Sequence, residues 1–225
     1  MPDDVEVFTS ILKVLEDVGI LSDIVIIGGW AQHLYRRYFN DPPELSALRT
    51  TDIDILFARP PGIIPKKNLE ETLEPLGFKR SFTADGSTKF ISREVEIEFL
   101  IPDRGRGDAG PYHIKELSIS AQSLRLVNML TIAPVEVQYN QYVVKVPDPI
   151  RFFFHKLLVS QRRDKENKRE KDRITAFELA SLLCQIPQWR ELIPSRFTEL
   201  SKKQRSLVSS LLTENNNLEV IALLT

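Results

Sequence analysis

The chain has 225 residues, 42% of them hydrophobic and 27% charged, which excludes a disulfide-stapled mini-protein, a fibrous chain and a disordered one. Thirty Lys and Arg against 31 Asp and Glu leave a formal net charge of −1, so no global field draws it to nucleic acid or an anionic membrane. No apolar stretch nears the roughly 18 residues of a spanning helix and the start, Met1-Pro2-Asp3-Asp4, is acidic, so the expectation is a cytoplasmic protein without a membrane partner. The single Cys184, in the apolar run 180–184, reads as a small buried hydrophobe.

Val5, Phe8, Ile11, Leu12 and Leu15 recur at helical spacing, with Asp3 or Asp4 to cap the start and Gly19 beyond the end. Residues 23–27 form a short β-branched apolar run, read as a buried strand that stops at a Gly28-Gly29 turn. Trp30, Leu34, Tyr35 and Tyr38 then mark a second helix, in which the aromatics read as packing. Residues 40–49 read as a loop, and residues 50–57 alternate polar and apolar like a half-exposed strand. A helix is predicted from Asn68 to Leu76, ending at Gly77. Three β runs follow, 78–82, 88–92 and 95–101, joined by turns short enough for antiparallel pairing. After a glycine-containing loop at 103–111 and an ambiguous stretch to Thr131, a hairpin is predicted between 135–139 and 142–146. Pro147-Asp148-Pro149 marks a composition shift, since 150–185 holds neither Gly nor Pro and the remainder reads helical.

The chemistry concentrates in Gly28-Gly29 and, two dozen residues later, Thr51-Asp52-Ile53-Asp54. In a strand, Asp52 and Asp54 share one face while Ile53 and Ile55 take the other, so two carboxylates stand side by side. A cation between them relieves the repulsion, and hard oxygens suit Mg²⁺, which completes its shell with waters and substrate phosphates. A glycine pair between strand and helix lets backbone N–H groups approach a triphosphate. A third carboxylate is offered by Glu96 or Glu98, alike on one strand face.

This pattern resembles the nucleotidyltransferase superfamily, whose signature is a hydrophobic strand, Gly-Gly or Gly-Ser, a helix, Asp-x-Asp on the next strand and a third acid on a later one. Here these are Ile26-Ile27-Gly28-Gly29, Asp52-Ile53-Asp54 and, from the following Leu100-Ile101-Pro102, Glu98. Arg49-Thr50-Thr51 ahead of the carboxylates is similar to the Arg- and Thr-bearing stretch that precedes Asp-x-Asp in bacterial AbiEii-like nucleotidyltransferase families. Past the linker, Phe154-His155-Lys156-Leu157-Leu158, Arg162-Arg163 and Lys171-Asp172-Arg173 look like the helical part of those families. The resemblance covers most of 20–185. It departs at Trp30, where several relatives carry Ser, and at Glu98, where Asp is commoner.

The resemblance implies an α/β (α+β) fold: a small mixed sheet with flanking helices over 1–148, and an α-helical domain over 149–225 that closes a nucleotide cleft. It implies metal-dependent transfer of a nucleoside monophosphate from an NTP such as ATP to a hydroxyl of an RNA end such as that of a tRNA, a protein or a small molecule. Asp52, Asp54 and Glu98 would hold Mg²⁺ or Mn²⁺ and catalyse the reaction. Gly28, Gly29, Arg49, Thr51, Lys156 and Asp172 would bind the nucleotide. The alternative, motivated by Trp30 and Glu98, is a protein of the same fold that binds a nucleotide or a partner without turnover.

On spacing alone, Lys156, Ser160 and Arg163 share one helix face, and Lys168 and Asp172 are i, i+4 partners. Segment 161–173 carries seven basic and four acidic residues, which admits either a solvated face or a phosphate-binding patch. Gly105-Arg106-Gly107-Asp108-Ala109-Gly110 matches the dinucleotide fingerprint, but an acidic strand precedes it and Pro111-Tyr112 follows. It therefore reads as a loop beside the site, with Arg104 and Arg106 facing an anionic acceptor. His33, His113 and His155 lie too far apart for a local metal motif and read as structural.

Overall fold

The computed structural model describes residues 2–46, 50–58, 62–103, 105 and 110–224, and within them the opening periodicity becomes helix α1 (Pro2–Val18). Its buried face is Phe8, Ile11, Leu12, Leu15 and Val18, and Gly19, at φ +84°, closes it by donating its N–H to the carbonyls of Leu15 and Glu16. Strand β1 (Ile24–Ile27), buried at all four positions, runs directly into helix α2 (Gly28–Tyr38). The glycine pair is thus the first turn of the helix and not a separate turn. Trp30 is core, its ring stacked on Phe8 at 3.8 Å, and the Tyr35 hydroxyl donates to the Pro147 carbonyl at 2.8 Å.

Strand β2 (Asp52–Phe57) is followed by helix α3 (Leu69–Leu73), capped by the Asn68 side chain and finished by a 3-10 turn to Gly77. Then come β3 (Lys79–Phe82), β4 (Thr88–Ile91), β5 (Glu96–Pro102), β6 (Tyr112–Ile114) and β7 (Ile119–Leu124). Among the described residues these build a seven-stranded mixed sheet with the order β1-β2-β5-β4-β3, to which β7 and β6 are added beside β5. Strand β5 runs parallel to β2 on one edge. On its other edge β4 pairs antiparallel with the first half and β7 parallel with the second. Strands β8 (Val135–Tyr139) and β9 (Tyr142–Val146) form the predicted hairpin. It is tied down by Phe8 edge-on to Tyr139 and by Lys145, which donates to the Ser22 carbonyl at 2.7 Å.

Two compact units result, Met1–Tyr38 with Leu48–Pro147 and Phe39–Ala47 with Asp148–Thr225. The second is helical: α4 (Pro149–Ser160), α5 (Glu166–Gln185), α6 (Pro187–Arg190), α7 (Ile193–Thr198), α8 (Lys202–Glu214) and α9 (Leu218–Leu224). Asp148 caps α4 by accepting from the N–H groups of Ile150 and Arg151, with Pro149 in the first turn where no N–H is needed. Phe152, Phe153 and Phe154 are all buried, each contributing about 2–3 kcal/mol on an area basis. Arg151 is buried with Asp148 and pairs with it at 3.3 Å and with Glu199 at 2.6 Å. The segment before residue 47 belongs here through Ser46, whose N–H and hydroxyl both donate to Glu178, and through Phe39, edge-on to Trp189. Cys184 is buried as expected, its thiol pushed up to about 11 by desolvation. No described helix is long and apolar enough to cross a membrane.

Candidate active site

The alternation of β2 and β5 sorts their side chains onto two faces. Ile53, Ile55 and Phe57 join Ile97 and Phe99 in the core, where the Phe99 ring lies 6.2 Å from Phe57 and 5.9 Å from Phe90 of β4. The other face carries the acids, and because the strands are parallel and in register, Asp52 stands opposite Glu96 and Asp54 opposite Glu98. The four carboxylates therefore collect at the beginnings of two neighbouring strands. Further along, Leu56 and Leu100 are buried, which confines polar chemistry to that end.

Strand β1 brings the glycines to the same place, since Ile27 is the antiparallel partner of Asp54. Gly28 has φ +68°, and a Cβ there would sit 1.9 Å from Asp54 Oδ2. A Cβ on Gly29 would lie 2.6 Å from Thr50 Oγ1. The bare glycine backbone is thus what lets the Asp54 carboxylate lie against the first turn of α2, whose N-terminal partial positive charge favours an anion. Thr51 donates its hydroxyl to Asp52 Oδ1 at 3.3 Å, beside Thr50, which donates to the Asp52 carbonyl at 3.4 Å.

Lys89 completes this face. It is the register partner of Glu98 on β4, and its ammonium lies 2.5 Å from Glu98 Oε1 and 3.1 Å from Glu96 Oε2. Glu98, and after it Glu96, holds that ammonium above the usual lysine range against the opposing effect of burial. Hard carboxylate oxygens are the donors that Mg²⁺ and Mn²⁺ take, and the cradle over Gly28 fixes one of them, so Asp52, Asp54 and Glu98 fit such an ion by chemistry. Their side chains are not gathered around one point. Among the described residues no group of three or more His, Cys, Asp or Glu comes together to hold a metal, and both glutamates face Lys89.

In the helical unit, taken by itself, Asp172 of α5 is buried at 4% exposure and receives Lys156 Nζ at 2.6 Å and Arg163 Nε at 2.8 Å. Burial alone would raise its carboxyl, but the two cations outweigh it and hold the group below the usual range. Two residues stand differently from what their spacing predicts. Helix α4 ends at Ser160, so Arg163 lies past it and not on its face, and Asp172 is held by Lys156 and Arg163 in place of Lys168. His155 beside them is buried, and neither ring nitrogen has a hydrogen-bond partner among the described residues.

Desolvation first, and then the charge of Lys156, push His155 down to about 3. Its folded value lies below the ordinary value of about 6.5, so its contribution is full above pH 6.5 and is lost as pH falls from there toward 3. Between pH 7 and pH 5 the protein is expected to lose about 2 kcal/mol on this account, at about 1.4 kcal/mol per pH unit below 6.5. Urea titrations of wild type and His155→Leu at both pH values check this. A wild-type loss no larger than that of the variant would refute it.

Gly28, Gly29, Thr51, Asp52, Asp54 and Glu98 are thus brought to one end of the sheet, and Lys156 and Asp172 are paired in the helical unit. Arg49, Arg104 and Arg106 lie outside the described residues, as does most of the 105–110 glycine motif. Sequence reasoning missed Lys89 and gave Thr50 no role of its own. A lysine on a short strand expected to pair with the Glu96–Glu98 strand was a signal for the first, but only the register places its ammonium.

Among solved structures, an antigenic nucleotidyltransferase-like protein from Paracoccidioides brasiliensis is similar to this chain with 15% identity and a TM-score of 0.54, over 98% of this chain and 93% of that one. The antibiotic-resistance factor ANT(2'')-Ia is similar at 14% identity and a TM-score of 0.47, over 96% and 98%. The first likeness shows the shared fold. None of the curated protein sequences matches. A nucleotidyltransferase family model matches residues 6–190, which takes in β1, the acidic strands and the helical pair α4 and α5. By that match over most of its length, the chain belongs to the nucleotidyltransferase family.

Proposed function

We propose that this protein transfers a nucleoside monophosphate from an NTP to a hydroxyl acceptor with the help of Mg²⁺ or Mn²⁺, the acceptor oxygen bonding to the α-phosphorus as the bond to the β-phosphate breaks and pyrophosphate leaves. The observation that carries this reading is the Asp54 carboxylate seated over Gly28 at the start of α2, with Asp52 on the same face and Glu98 in register beside it. Asp52, Asp54 and Glu98 would hold the divalent ion. Such an ion, when bound, supplies Lewis acidity toward the acceptor hydroxyl and neutralises phosphate charge.

The remaining work belongs to the chain. Backbone N–H groups in the first turn of α2 orient the phosphates, as helix N-termini do. Glu98 takes the acceptor proton once released from Lys89, and Thr51 restrains Asp52 through its hydroxyl. For the helical unit, the family resemblance supports Lys156 as a nucleotide contact, and the buried Asp172, 2.6 Å from it, would orient that ammonium. A reducing cytoplasm suits the lone buried Cys184.

The test incubates the protein with Mg²⁺ and each α-labelled NTP in turn, offering total RNA, total protein and a small-molecule extract as separate acceptors. Label is expected in one acceptor pool, which also names the acceptor class. Nucleotide bound with no label transferred from any NTP would overturn the proposal in favour of a binding protein.

A further inference from the structure

The row of acids at the starts of β2 and β5 is answered in this structure by a side chain. Neighbouring strands lie about 4.8 Å apart, so Asp52, Asp54, Glu96 and Glu98 repel one another across the pair unless a cation intervenes. Lys89 meets two of them at once, at 2.5 and 3.1 Å, on the side of β5 away from β2. Its backbone is fixed for the task. Strand β4 is paired on both edges, by β3 and β5, and Thr88 next to it is buried and accepts from the Ser120 N–H at 2.9 Å. The lysine side chain is 22% exposed and that of Glu98 29%, so solvent weakens the pair without removing it.

We infer that Lys89 is a positioning residue that acts as an internal cation: its ammonium keeps Glu98 turned toward β4, and a divalent ion must displace it to recruit that carboxylate. This rests on the reading of Asp52, Asp54 and Glu98 as the metal-holding set. Where one ammonium and one divalent ion compete for the same oxygens, removing the ammonium strengthens metal binding. A lysine with a purely structural role would leave metal affinity unchanged or lower it by loosening β4.

The experiment measures Mn²⁺ binding to the full chain by calorimetry and by the loss of the free-Mn²⁺ paramagnetic signal, with no nucleotide and no turnover. Lys89→Met is expected to bind Mn²⁺ about tenfold more tightly, the scale set by a nearby cation acting on a carboxylate. Lys89→Gln repeats the measurement with a polar side chain in case the methionine disturbs β4, and Lys89→Arg, which keeps the charge, should bind as wild type does. Adding Glu98→Gln to Lys89→Met should abolish the gain.

Equal or weaker Mn²⁺ binding by both Lys89→Met and Lys89→Gln overturns the inference and leaves the metal site standing. Separately, Mn²⁺ affinity unaffected by Asp54→Asn overturns the metal-site reading itself, and the inference with it.

Discussion

Replacing Asp54 by asparagine is expected to abolish nucleotidyl transfer, by at least about a thousand-fold, while the fold persists. Asparagine has nearly the shape of aspartate, so it still fits the space that Gly28 leaves, within a Cβ's reach of α2. What it loses is the negative charge that would hold a divalent cation at this position. Asp52→Asn on the same face should act alike. Its effect on stability runs the other way, because Asp52 is exposed and one of four acids crowded at two strand starts. Removing one charge from such a row relieves repulsion, so the Tm of Asp52→Asn is expected to equal or exceed that of wild type. Label transfer and thermal melts on the same preparations read both effects. Transfer within tenfold of wild type in either variant would remove that aspartate from the reaction.

The second large effect lies in the helical unit. Asp172→Leu is expected to cost about 3 kcal/mol, because it strands the Lys156 ammonium, only 13% exposed, without its carboxylate. Arg163 is 41% exposed and can turn to water, so Lys156 carries most of the loss. For a chain of this length that corresponds to a Tm lower by roughly 6–12 °C. The double variant Asp172→Leu with Lys156→Met should recover most of it, since two apolar groups of similar volume replace a buried ion pair with little penalty. A double variant as unstable as the single would mean that Asp172 acts through packing and not through its charge.

The pH dependence gives an independent reading. The Asp172 carboxyl is held below its ordinary value when folded, so its stabilisation is complete above about pH 4 and is lost as pH falls through the folded value. That window lies below the one in which His155 begins to act.

Local signals made much of this fold legible. The β8–β9 hairpin follows from alternation on both sides of Asn140-Gln141, with Asn140 taking the positive φ that the turn demands. The start of α4 follows from Asp148-Pro149, a cap and a first-turn residue whose roles are intrinsic. Asp52 and Asp54 were found because a two-residue period puts them on one face without any knowledge of neighbours. The neighbours themselves were not legible. That Glu98 stands opposite Asp54, and that Lys89 reaches Glu98, depends on the register of three strands, a long-range property that no short window encodes. The same reason explains Arg163, placed on α4 by counting residues, whereas the helix stops at Ser160 and the turn after it delivers the guanidinium to Asp172. Residues 113–131 were opaque because their strands are short and broken by 3-10 turns, with Ser118 and Leu126 in left-handed backbone that leaves no periodicity to read.

The short strap of Ser46 and Phe39, drawn from a hundred residues upstream of α4 and fastened to Glu178 and Trp189, has a consequence for modularity. The helical unit is not one contiguous cassette. A gene fragment that begins at the Pro147-Asp148-Pro149 junction encodes every helix of the unit and still omits part of its wall. Recombination at that apparent seam would separate pieces that pack in one unit.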